Sequence, residues 1–194
     1  CPLCGIDRLR CAFSPFYAHD RRDIFQSVGK RDDPITWNGH HIGYEEKDVG
    51  QYDEFAERIF VDDIYTLVNR KMYDEVGGYD PQFYLQCEEF DWQLRAKKKD
   101  WKFYYTPHAK LWHHGSASTG GLGSPIVNYF LERSRMIVFA KHGSLKQYIR
   151  YFVWSSFRAF YRLIWSILKM DAFKIKARIA RLLGIAAGVS WLVT

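Results

Sequence analysis

The chain of 194 residues is poor in cysteine, with only Cys1, Cys4, Cys11 and Cys87. The knuckle Cys1-Pro-Leu-Cys4-Gly resembles half of a zinc site, but no second pair follows at zinc-ribbon spacing, so reduced thiols are the better reading. Long apolar runs are also lacking. The last one, Leu182 to Thr194, is too short to span a bilayer unless the chain continues beyond it. The stretch before it is interrupted by three arginines, Arg150, Arg158 and Arg162, which argues against a spanning helix. No charged-then-apolar leader follows Cys1, and the first residue is not Met; we therefore expect that the true N-terminus is missing. No internal repeat and no low-complexity stretch occurs. Disorder is excluded for most of the length, because hydrophobic residues make up 47% and aromatics 18%.

Acidic residues are scarce in one region. Residues 145–194 hold nine Lys and Arg against a single acid, Asp171, a local charge of +8. The formal total is +6, which leaves −2 for residues 1–144. A nucleic-acid footprint would spread basic residues over the folded core, and here the core is slightly acidic, so no nucleic-acid partner is expected.

Composition divides the chain into three regions. Residues 1–58 are polar and read as loops and short strands. Residues 59–142 alternate strand-like and helix-like pieces: a strand-like run from Ile59 to Val68, a helix from about Glu88 to Lys99, strands at 102–106 and 109–112, and a helix from 128 to 141. That mixture predicts an α/β domain. Residues 145–194 read as helical. On a helical wheel Arg158, Arg162 and Lys169 share one sector, with Trp154, Tyr161 and Trp165 beside it. A basic stripe flanked by Trp and Tyr suits a helix lying in the plane of a membrane surface. A helical hairpin packed on the domain's own surface is the alternative.

Two clusters could carry chemistry. The first is Glu88-Glu89-Phe90-Asp91 at a predicted helix start, where three carboxylates share the positive end of the helix dipole. Asp91 and Arg95 are spaced for an i,i+4 ion pair, while Glu89 points elsewhere and can face a cleft. Crowded carboxylates raise one another's pKa, which suits a general base near neutral pH. The plain alternative is an acidic N-terminus that satisfies the dipole. The second cluster is Trp112-His113-His114-Gly115-Ser116, directly after a predicted strand. Adjacent strand residues face opposite ways, so one histidine is a candidate metal ligand and the other is not.

Taken in order, Val76-Gly-Gly-Tyr-Asp80, Glu88-Glu-Phe-Asp91, Leu94-Arg95, Tyr104-Tyr-Thr-Pro107 and Trp112-His113 resemble the C-terminal half of family-2 glycosyltransferases of the rhamnosyltransferase-like kind. Trp37-Asn-Gly39 and Gly50-Gln-Tyr-Asp53 resemble segments before that half, and Glu132-Arg133-Ser-Arg135 resembles the family's Arg-Asn-Arg helix. The resemblance covers roughly residues 12–142. It implies an incomplete GT-A (nucleotide-diphospho-sugar transferase) domain of α/β class over 1–144, the C-terminal acceptor half, followed by amphipathic helices over 145–194.

The same resemblance implies an inverting transfer from a nucleotide-sugar donor to a glycan or lipid-linked glycan acceptor at the cytoplasmic face of a membrane. Glu89 stands where the family has the acid that takes the acceptor proton, although the family has Asp there; Glu88 and Asp91 are its backups. His113 would be a ligand of Mg²⁺ or Mn²⁺. Gly77 and Gly78 would let backbone approach the sugar. Tyr79, Asp80, Trp92, Arg95 and Arg133 complete the implied substrate-binding set.

The family's opening strand, nucleotide-binding acidic pair and metal-binding Asp-x-Asp have no counterpart here. Asp62-Asp63 and Asp32-Asp33 are poor substitutes, so these residues are expected to be inactive alone. Two other readings stay open. One is a non-catalytic membrane-associated scaffold or degenerate transferase half; the other is a zinc-knuckle module built on Cys1 and Cys4.

Overall fold

The computed structural model describes residues 11–13, 15–18, 20–33, 35–113, 119–121 and 123–193. Cys1, Cys4, His114 and the Gly-Ser segment after it lie outside the described residues. The chain divides into two compact units, one formed by residues 1–79 and 92–114, the other by 80–91 and 115–194.

The first unit holds short strands: β1 Cys11–Phe13, β2 Phe16–Ala18, β3 Phe25–Ser27, β4 Lys30–Asp33, β5 Trp37–His41, β6 Ala56–Arg58, β7 Thr66–Val68, β8 Phe103–Tyr105 and β9 Leu111–His113. They form a four-stranded sheet in the order β6-β8-β1-β7, a three-stranded sheet β3-β2-β9, and the pair β4-β5. Most pairings are antiparallel, but β1 runs parallel to β8 and β2 parallel to β9. The result is a mixed α/β domain with small sheets. A doubly wound parallel sheet is not seen among the described residues.

The seven-residue helix α1 (Arg70–Val76) starts where the Asn69 side chain accepts from Lys71 N–H, and it stops at Gly77 with φ 78°. Phe25, Val28, Val61, Met72, Trp92, Trp101, Phe103 and Tyr105 close the core of this unit. The strand expected over Ile59–Val68 is reduced to Thr66–Val68. The reason is polar: Asp62 turns inward, where its carboxylate meets Lys30 Nζ at 2.9 Å and accepts from the Ser27 hydroxyl at 2.6 Å. Phe60 and Val61 on its N-terminal side are buried all the same.

Helix α2 (Glu88–Lys97) has its first turn in the second unit and its remainder in the first. The second unit is otherwise helical: α3 (Pro125–His142), α4 (Leu145–Leu168) and α5 (Ala172–Ser190), with a 3-10 turn at Trp191–Val193. Start and stop signals account for each. Ser124 caps α3 with Pro125 in its first turn, which is why α3 begins about a turn before the expected Asn128. Ser144 and Gln147 form a capping box for α4, and Asp171 caps α5 by accepting from Lys174 N–H. Where α5 crosses α3 the backbones touch. A Cβ on Gly184 would collide with the Tyr129 carbonyl, and one on Gly188 with the Met136 side chain.

The fourth helix is inverted relative to an ordinary amphipathic helix. Tyr151, Ser155, Ala159 and Ser166 are buried, whereas Phe157, Phe160, Tyr161, Trp165 and Leu168 are exposed. Apart from Tyr151, the inward stripe is made of small residues, two serines and an alanine, while Phe157, Phe160 and Leu168 point away from the fold.

Candidate functional site

In the first unit the Gly-Gly loop is clamped by helix α2. Arg95 donates from Nη1 to the Val76 carbonyl at 2.6 Å and from Nη2 to the Gly78 carbonyl at 2.7 Å. Trp92 is buried and donates from its indole N–H to the Gly77 carbonyl at 2.7 Å. Tyr79 meets the Trp92 ring edge-on and donates its hydroxyl to Asp63 at 2.8 Å. Gly77, Gly78, Tyr79, Trp92 and Arg95 are thus brought together, and Trp92 and Arg95 act on loop backbone. The space where a Gly77 side chain would stand is open within 4 Å.

His113 ends β9, in register with Ala18 of β2. Its ring Nδ1 lies 3.3 Å from Gln26 Oε1, while Gln26 Nε2 donates to the His113 carbonyl at 3.4 Å. Strand geometry and Gln26 together fix the imidazole. Among the described residues no group of three or more His, Cys, Asp or Glu converges to hold a metal ion. The described residues by themselves therefore do not complete a donor set for Mg²⁺ or Mn²⁺. Asp62 is taken by its buried partners, and Asp33 accepts from the Thr36 hydroxyl and the Ile35 N–H in a local turn at the end of β4.

In the second unit the acidic helix start is held by a strained turn. Gln86 and Cys87 both take left-handed φ angles, 67° and 68°, immediately before α2. Such angles cost non-glycine residues about 1–2 kcal/mol each and persist where the surroundings enforce them. The enforcement comes from α3: Arg133 donates to the Gln82 carbonyl at 2.9 Å, and Ser134 donates to the Leu85 carbonyl at 3.1 Å. Arg133 and its neighbour thus anchor the loop that leads into Glu88.

Asp91 has no exposed side-chain surface. Its Oδ1 lies 2.7 Å from Lys141 Nζ and 2.8 Å from His142 Nε2. Lys141 also reaches Asp80 Oδ2 at 2.6 Å. Burial opposes the Lys141 charge, but the two carboxylates outweigh it and raise its pKa. For Asp80, burial is likewise outweighed by Lys141 and by the Gln82 N–H, and its pKa falls. Asp80 and Asp91 are therefore joined through Lys141, which is remote from both in sequence. Lys141 and His142 are not legible in the sequence because basic residues in the last turn of a helix look like ordinary dipole partners. Nothing in local spacing links them to residues 80 and 91. Glu88 and Glu89 stand on the same first turn as Asp91, each partly accessible.

No protein-family model matches the chain. Two curated relatives, both N-acetylglucosaminyl-diphospho-decaprenol L-rhamnosyltransferases from strains of Mycobacterium tuberculosis, are 37% identical to it over 54 residues. The chain has a distant likeness to glycosyltransferases. The matched stretch is 28% of this chain and 18% of the relatives' length. A role in enzymatic transfer is consistent with that likeness.

Proposed function

We propose that these residues form the acceptor side of an inverting glycosyltransferase that moves a sugar from a nucleotide-sugar donor to a lipid-linked or cell-surface polysaccharide acceptor. In this reading residues 1–144 are a partial GT-A domain and 145–194 a basic helical tail. The observation that carries it is the first turn of α2. Asp91 is locked by Lys141 and His142, which fixes the turn, and Glu89 stands on that turn as a partly exposed residue. Glu89 accepts the proton of the acceptor hydroxyl as that oxygen bonds to the anomeric carbon. The bond from that carbon to the nucleoside diphosphate breaks, and the diphosphate leaves with the electron pair. Gly77, Gly78 and Tyr79 are candidates for contact with the sugar on the family resemblance alone, and Trp92 and Arg95 hold their loop. Mg²⁺ or Mn²⁺ rests on the family resemblance, with His113 as its candidate ligand.

The tail supports work at the cytoplasmic face of a membrane. Among the described residues no helix is long and apolar enough to cross a membrane. The exposed aromatic face of α4 and the +8 charge of residues 145–194 suit contact with an anionic lipid surface.

The test is transfer of labelled sugar from a panel of nucleotide sugars to a polyprenyl-diphosphate-linked acceptor by the product of the complete reading frame. Labelled lipid-linked product with one donor is expected. Absence of transfer with every donor, from a folded protein, contradicts the reading and favours a non-catalytic, membrane-associated scaffold.

A further inference from the structure

Helices α4 and α5 enclose an open cavity of about 410 Å³ near their connection, lined by Tyr161, Arg162, Trp165, Lys169, Lys174 and Arg178 among others. Its charge is not balanced. Lys174 pairs with Asp171 at 2.7 Å, and Asp171 is the acid of the lining, so Arg162, Lys169 and Arg178 remain in excess. Arg178 Nε is buried with no hydrogen-bond partner. Deeper between the helices, Arg181 faces Glu132 at 3.2 Å, and Glu132 already accepts from the Tyr151 and Ser155 hydroxyls, so the nearest buried acid is committed.

We propose that this cavity is a seat for a phosphate group, with the guanidinium groups of Arg162 and Arg178 in its lining as its donors and Tyr161 and Trp165 at its rim. Arginine presents two parallel N–H donors to a phosphate, and two such forks with a lysine match the charge of a phosphomonoester or diphosphate. Burial depresses both arginine pKa values, and repulsion deepens the effect: from Arg178 and Arg181 on Arg162, and from Arg181 and Arg158 on Arg178. An anion relieves that repulsion, so the cluster is strained toward binding. Trp165 and Tyr161 are each about half exposed, at 48% and 52%, which leaves the rim open to a ligand from outside. The phosphate comes either from a lipid headgroup or from a soluble phosphate ester. For the lipid source the proposal rests on the membrane-facing reading above.

The experiment measures two affinities of the full chain. One is for vesicles of phosphatidylcholine with phosphatidylglycerol, by co-sedimentation; the other is for inorganic pyrophosphate, by calorimetry. Three proteins are compared: wild type, R162Q/R178Q, and the control K146Q/R150Q, which removes the same charge from exposed positions of α4. If the attraction is diffuse, removing two charges weakens vesicle binding equally in both variants. A seat makes R162Q/R178Q bind at least about tenfold more weakly than the control.

Loss of vesicle affinity confined to R162Q/R178Q supports a headgroup. Loss of pyrophosphate affinity confined to R162Q/R178Q, with equal vesicle effects, supports a soluble phosphate. Equal vesicle losses with no pyrophosphate binding overturn the seat while the membrane reading stands. No binding of either probe by wild type overturns both. Removing mutually repelling cations is expected to keep or raise the melting temperature. Should R162Q/R178Q lose its helical signal, R162K/R178K replaces it, keeping charge without the fork. Weakened binding in that variant supports the seat, and unchanged binding overturns it.

Discussion

Asp62 shows how much a single side chain decides. Its carboxyl group is buried, which opposes ionisation, yet Lys30, His41 and Ser27 outweigh burial and push its pKa far below the ordinary carboxylate range. A depressed folded-state pKa means stability that is complete above the unfolded value, about 3.9, and is lost as pH falls through it toward the folded one. The first unit is therefore expected to weaken on acidification below about pH 4. Asp62→Asn leaves the Lys30 ammonium buried without its carboxylate, at a cost of about 3–5 kcal/mol near neutral pH. Urea unfolding across the acid range checks both: the variant starts lower and has a flatter pH dependence. A variant as stable as wild type at neutral pH contradicts this account.

None of that pairing was legible from the sequence. Lys30 and Asp62 are 32 positions apart, and in the sequence Asp62-Asp63 resembles only a poor substitute for a metal motif. Asp91 was legible as part of an acidic helix start, but its partners, Lys141 and His142, come from a helix that reads as complete in itself.

At the level of elements, sequence signals served well where they are local. The acid-rich start at Glu88 marked α2 to within two residues at its end, and the strand expected over 109–112 lies at Leu111–His113, so that His113 ends the strand instead of following it. They failed where contact is non-local. Gly184 and Gly188 look like weak points of a tail helix, yet they are where α5 lies on α3, and a methyl group has no room at either. Gly184→Ala is expected to destabilise the helical unit by about 1–3 kcal/mol, although alanine is the better helix former. Gly123→Ala, whose Cβ would meet only Phe173 at 3.8 Å, is the comparison that isolates crowding. A thermal melt in which both variants behave alike contradicts close packing of α5 on α3.

At the scale of the whole molecule, charge and apolar surface are segregated in a way composition already announced. The +8 of residues 145–194 was visible by counting, and the basic, aromatic character of α4 on a helical wheel. Hidden from it was the inversion, in which Ser155, Ala159 and Ser166 face inward and Phe157, Phe160 and Trp165 face out. The α/β class was legible from alternating periodicities. The small mixed sheets were not, because three-residue strands carry too little pattern to fix their partners.

The reading as a transferase depends on one carboxylate. The measurement that tests it most directly is kcat/KM for sugar transfer by the product of the complete reading frame and by its Glu89→Gln and Glu88→Gln variants. Glutamine keeps the shape and removes the proton acceptor. Loss of a general base predicts a fall of about 10²–10⁴-fold for Glu89→Gln, carried by kcat, with Glu88→Gln much nearer wild type. Full activity in Glu89→Gln, from a protein that melts as wild type does, contradicts the account.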